Sequence, residues 1–279
     1  MAAPSYMYTG AGATDAGGAW SYNASLGGDF VIILQILQDG STTGAVALTS
    51  VNAGMANLAG TDAAMTYIGA FAVGSPTAAL QHLWIARQTG FVSLSVGGTN
   101  STSEDLYIRA YAFGYVSTGT TLATVIENGT AGATANGVGT SNTAADTGVT
   151  TLGADRLALN FVAVNDDNAI AQFSGQSGGT WVEAVAEYAE SSGTDGAIQM
   201  QYAAMATAGT IDGGTASITD SDAWGVVGFA LIGTTASYTT QTGSFAANAV
   251  IKRTVSGSFT ANAVKRQTFI PTGLTANAS

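Results

Sequence analysis

Five groups of residues have types and spacing that could do chemistry. Gly175-Gln176-Ser177-Gly178-Gly179 matches G-x-S-x-G, the turn that presents a nucleophilic serine. That motif needs a strand before it, a helix after it and a histidine later in the chain to act as base. The one histidine, His82, lies upstream, and in a Gly/Ser-rich chain the pattern is better read as a tight loop. A single histidine cannot build a His-rich metal site; beside Leu83 and Trp84, His82 reads as a surface or packing residue. With no cysteine in 279 residues, disulfide scaffolds, thiolate metal sites and thiol catalysis are excluded together.

Glu183 and Glu187 are the nearest thing to a sugar-hydrolase pair. A retaining pair needs its carboxyls about 5–5.5 Å apart, whereas i and i+4 on one strand lie roughly 13 Å apart. A solvated face is the simpler reading, and no catalytic residue is assigned. Asn165-Asp166-Asp167-Asn168 and Asp220-Ser221-Asp222 are loops that could offer oxygen ligands to Ca²⁺, with Asp166, Asp167, Asp220 and Asp222 as weak candidates. Asx residues are equally what turns require, so no cofactor is expected beyond that calcium. Tyr107, Tyr111 and Phe113 could stack on sugar rings, but interior packing explains them as well.

The elements that must carry these residues are strands. Of the residues, 46% are hydrophobic and 9% charged, with 37 Gly. The apolar runs are rich in Val, Ile, Phe and Tyr instead of the Leu, Glu and Lys of long helices. Asp29–Leu37 is apolar at both parities, hence a central strand covered on both faces. Further strands are expected at 45–51, 65–73, 82–87, 91–96, 106–115, 156–164, 198–206 and 224–232, and 181–188 is read as a strand in preference to a helix. Within 106–115, Leu106, Ile108, Ala110 and Ala112 take one face and Tyr107, Arg109, Tyr111 and Phe113 the other. Residues 127–148 read as loops with short edge pieces. Many short strands with few helical patterns indicate an antiparallel β-sandwich of jelly-roll type. The domain reading is a lead-in arm over 1–28, a β-sandwich body over 29–236 and an extended C-terminal arm over 237–279.

That arm carries a repeat. Gly243-Ser244-Phe245-Ala246-Ala247-Asn248-Ala249-Val250 recurs fourteen residues later as Gly257-Ser258-Phe259-Thr260-Ala261-Asn262-Ala263-Val264. Charge divides at the same boundary. All 18 acidic residues lie at or before Asp222, against three arginines, which leaves the body at −15; Lys252, Arg253, Lys265 and Arg266 make the arm +4. An acidic body argues against nucleic acid as a partner. The opening residues lack the basic and apolar regions of a secretory leader, and no apolar run approaches the roughly 18 residues of a membrane span. A soluble chain made in the cytoplasm is expected.

From Thr180-Trp181-Val182-Glu183 through Ser191-Ser192-Gly193-Thr194-Asp195, Ile198–Tyr202 and Ala223–Leu231, together with Gly28-Asp29-Phe30-Val31, the chain resembles lectin-like jelly-roll sandwiches of phage and prophage structural proteins. Its arm is similar to the Gly-Ser-Phe-Thr-Ala-Asn-Ala repeats appended to some phage-encoded proteins. The resemblance implies a non-enzymatic virion protein used in capsid decoration, head fibres or tails. Its partners would be other copies of itself and other virion proteins, with assembly residues Phe245, Val250, Lys252, Arg253, Phe259, Val264, Lys265, Arg266 and Phe269. The alternative it implies is a carbohydrate-binding receptor or adhesin module of a tail fibre that meets surface glycans.

Overall fold

The structure is a computed structural model that describes residues 3–10, 13–15, 18–24, 30–39, 46–51, 55–59, 65–75, 77–88, 94–101, 105–127, 133–139, 144–145, 149–165, 170–171, 173–184, 188–189, 196–218 and 221–234. All of them fall within one compact unit, Met1–Ser237. The described residues are almost entirely antiparallel strand, as the alternating and doubly apolar runs require. One helical turn, α1 (Leu122–Val125), interrupts them.

The first half of the unit opens with β1 (Ser5–Thr9), β2 (Ala13–Asp15) and β3 (Gly18–Ala24), followed by the long β4 (Phe30–Gln38). Then come β5 (Val46–Val51), β6 (Met55–Ala56) and β7 (Thr66–Val73). The half closes with β8 (Ala79–Gln88), β9 (Leu94–Asn100) and β10 (Leu106–Gly114). Seven of these strands make one large sheet in the order β1-β10-β4-β8-β6, with β2 also on β10 and β7 also on β8. The remaining three make an outer sheet, β3-β9-β5.

The second half repeats this plan. Its strands are β11 (Ile126–Glu127), β12 (Ala133–Gly139), β13 (Ala144–Ala145), β14 (Val149–Thr151), β15 (Arg156–Val164), β16 (Trp181–Glu183), β17 (Tyr188–Ala189), β18 (Ala197–Met205), β19 (Gly209–Ile211), β20 (Thr215–Ala216) and β21 (Asp222–Ile232). The large sheet runs β11-β21-β15-β18-β16, with β12 also on β21 and β17 also on β18. Its outer layer pairs β13 with β20 and β14 with β19, and residues 170–171 and 173–177 flank the same segment through the bridges Ile170–Ile218, Ser174–Thr215 and Ser177–Asp212. In both halves the last strand lies between the first edge strands and the first long strand. The second long strand follows, with two further strands on its far side, β6 and β7 in the first half and the short β16 and β17 in the second.

Packing explains the doubly apolar strands. Val31 and Ile33 of β4, Tyr111 and Phe113 of β10, Leu157, Leu159 and Phe161 of β15, and Val227, Phe229 and Leu231 of β21 form one core between the two large sheets. The opposite face of β4 (Ile32, Leu34, Ile36) meets Trp20, Tyr22, Leu94 and Val96 of the outer sheet. Val162, Val164, Trp224 and Val226 pack under Ile170, Phe173 and Ile218 on the far side. Each long strand is therefore covered twice.

Three expectations need correction. Within the expected lead-in arm, β1, β2 and β3 (5–9, 13–15 and 18–24) are strands of the body: β1 and β2 pair with β10, and Trp20 and Tyr22 are buried. Small residues hid them, since Trp20 lies opposite Gly98, where an added Cβ would sit 2.6 Å from the indole ring. Of the strand expected at 181–188, the described residues form β16 (Trp181–Glu183) and the start of β17 at Tyr188, both on β18, with the Ala184 N–H donating to Met200 O (3.0 Å), and 185–187 lie outside the described residues. The strand expected at 91–96 is β9, whose register runs on to Asn100. The repeats, and with them Phe245, Val250, Lys252, Arg253, Phe259, Val264, Lys265, Arg266 and Phe269, lie outside the described residues.

Candidate functional site

The fold places the candidate chemical groups far from one another. His82 lies on β8, on the face turned to the outer sheet of the first half, where it stacks on Trp84 (centroids 5.6 Å apart). Ser177 lies in the outer layer of the second half, so both large sheets intervene. The Ser177 N–H donates to Asp212 O (2.9 Å), and the next element after the Gly178–Gly179 turn is the strand β16, not a helix. Glu183 accepts the Phe173 N–H through Oε1 (3.0 Å), which ties β16 to the outer layer, while Glu187 lies outside the described residues. Glu127 holds Arg156 Nε at 2.7 Å and the Leu152 N–H at 2.9 Å, a buried bracket between β11 and the start of β15.

The Asp-rich stretches start from neighbouring strand ends. Val164 lies opposite Trp224, and the Asn165 N–H donates to Ala223 O (2.8 Å), beside Asp222. Asp166, Asp167 and Asp220 lie outside the described residues. No group of three His, Asp or Glu side chains with metal-binding spacing occurs among the described residues. Tyr107, Tyr111 and Phe113 are fully buried, so the faces considered for sugar stacking are interior packing.

Polar groups inside the sandwich serve register. Tyr111 O–H donates to Gln35 Oε1 (2.8 Å), and Gln35 Nε2 reaches Gln81 Oε1 (2.5 Å) and Val162 O (3.0 Å). Gln81 Nε2 is 3.4 Å from Phe161 O. These amides sew the central strand of the first half to that of the second, because a buried polar group must find a partner. Burial holds the Tyr111 phenol well above its ordinary pKa and pushes Tyr22 up to about 12.

Two surface concavities flank β7. The first, about 280 Å³, has residues 46–48 of β5 on one side and Met65, Tyr67, His82 and Trp84 on the other. Tyr67 is 46% exposed, with its ring 5.1 Å from that of Trp84. Gln38 Nε2 donates to Asn100 Oδ1 (2.8 Å), which turns its Oε1 toward His82 Nε2 (3.3 Å). The imidazole proton is thereby placed on Nε2, and Tyr67 O–H donates to Nδ1 (3.1 Å). Burial lowers the His82 pKa to about 4, so the ring is neutral at pH 7.

The second concavity, about 500 Å³, lies between two sheet edges: residues 68–72 of β7 on one wall, Thr134 and Asn136 of β12 on the other. Each strand pairs on one side only among the described residues, β7 with β8 and β12 with β21. The Gly74 N–H donates to Trp224 O (2.9 Å) and closes one end. Sequence reasoning missed both concavities. The signal was Gly69, which marks a bulge where the β7–β8 register shifts and turns Tyr67 outward.

All three arginines of the body are tied down. Arg109 is 7% exposed, Arg156 is paired with Glu127, and Arg87 donates to the carbonyls of Ser117 (2.5 Å) and Gly119 (2.7 Å) in the connection between halves. No protein-family model, curated protein or solved structure matches the chain.

Proposed function

We propose that the chain is a structural protein of a bacteriophage particle, in capsid decoration, a head fibre or the tail. It joins its neighbours through the C-terminal arm. The observation that supports this most is the distribution of charge. The body has 18 acidic residues, and its only cations are spent on carbonyls, an ion pair and the interior, while the four remaining cations all sit in the arm. Such a surface attracts the arm of another copy and discourages body-to-body contact. The strand order repeated in the large sheet of each half, with a three-stranded outer sheet in the first and two strand pairs outside the second, supports the jelly-roll reading, an architecture common in shells.

The test uses the full chain. Reversing Lys252, Arg253, Lys265 and Arg266 to Glu should weaken association most at low salt, because screening already blunts these contacts at high salt. Sedimentation velocity across a salt series reads this directly, and unchanged association would refute the role given to the arm. A second reading, a glycan-binding module of a tail fibre, is supported by the half-exposed Tyr67 on its His82–Trp84 stack. Glycan binding that is lost in Tyr67→Ala would favour it.

A further inference from the structure

We infer that the groove between β7 and β12 is the socket for the arm, filled by the repeat segment 243–250 of a neighbouring copy as an added strand. The inference rests on the proposed assembly role and names the surface that role requires. An exposed sheet edge is a template for another strand, and proteins protect such edges with lysine, proline or charge. Neither Thr66–Val73 (TYIGAFAV) nor Ala133–Gly139 (ATANGVG) contains a charged residue or proline. Among the described residues, no strand pairs with either edge on the groove side, which leaves a place for an occupant.

The segment matches that socket. Gly69, Ala70 and Ala72 give a wall of small side chains, while Ile68 and Phe71 turn into the core behind it. The sequence from Gly243 to Val250 is small at nearly every position, with one large group, Phe245. In an extended strand Phe245, Ala247 and Ala249 share one face, so Phe245 can lie over the small side chains of Ala70 and Ala72 while Ser244 and Asn248 turn to Thr134 and Asn136. Backbone hydrogen bonds to the β7 edge would give affinity and the phenylalanine register, as in strand addition generally. Lys252 and Arg253 follow directly and would meet an acidic body. The 45 residues beyond Thr234 carry two copies of the unit, more than enough extended chain to reach another molecule.

Because the chain has no cysteine, single introduced cysteines report position without background. Full-length A70C and A247C proteins are mixed and treated with a short bis-maleimide. L152C replaces A70C in a parallel mixture, since Leu152 is 83% exposed and lies in the turn after β14. T134C provides a second position on the opposite wall. A docked segment holds the two thiols at millimolar effective concentration, so the A70C and T134C mixtures should cross-link about tenfold more than the L152C mixture. Equal yields overturn the socket. If removal of residues 241–279 abolishes association while the yields are equal, the arm reading stands and the groove assignment falls. If full chains do not associate at all, both fall.

Discussion

A neutral imidazole held between Tyr67 and Trp84 makes this fold sensitive to mild acid. The folded His82 binds a proton only near pH 4, whereas an unfolded histidine does so near 6.5. Stability is therefore complete above about pH 6.5 and is lost as pH falls toward about 4. A single such group predicts a loss of about 2 kcal/mol between pH 7 and pH 5. Chemical denaturation at a series of pH values should show that slope, and His82→Gln should flatten it. The amides between the sheets make a second prediction at this scale. Gln35→Leu removes the acceptor of the Tyr111 O–H and the donor to Gln81 Oε1 and should cost about 1–3 kcal/mol. Adding Tyr111→Phe and Gln81→Leu should recover part of that loss, because no polar side chain is then left unpaired and only the Val162 and Phe161 carbonyls lose a side-chain donor.

Among the elements, close approach sets the tolerances. Gly98 of β9 lies against Trp20 of β3 and the carbonyl of Ala47 in β5. Gly98→Val should destabilise by more than about 2 kcal/mol, through overpacking of the outer sheet. Trp224→Ala empties a site that is 9% exposed and should cost about 3–5 kcal/mol, read from the midpoint of denaturant unfolding. The long strands β4, β10, β15 and β21 were legible because their apolar residues are large and occur on both faces. Strands of small residues were less legible: β2 was not read as a strand, and β12 and β13 were read only as short edge pieces, because they take their structure from the strands beside them. Nor were the concavities around β7, since a groove between two edges depends on where distant strands end. The buried fate of His82 was half visible, in that Leu83 and Trp84 announced a strand but not which face it turned inward.

Across the whole molecule, the two halves share one core and one plan. Cutting the connection after Gly119 should give fragments that each expose half of that core and recombine when co-expressed. Co-elution of residues 1–119 with 120–279 on size exclusion tests this; two soluble, independent fragments would show that the core between the large sheets is not what joins them. The plan also sets the order in which the protein can be made. The last strand of each half fills the middle of its sheet, so a ribosome that has released β1 through β9 leaves a slot open between β1 and β4. The slot exists once Gln38 of β4 has emerged and closes only after Gly114, 76 residues later, which takes roughly 4–15 s at about 5–20 residues per second. For that interval the nascent chain presents two unpaired edges to its surroundings. A chaperone that shields them, or slow codons placed to let them close, would then govern yield more than the final stability does.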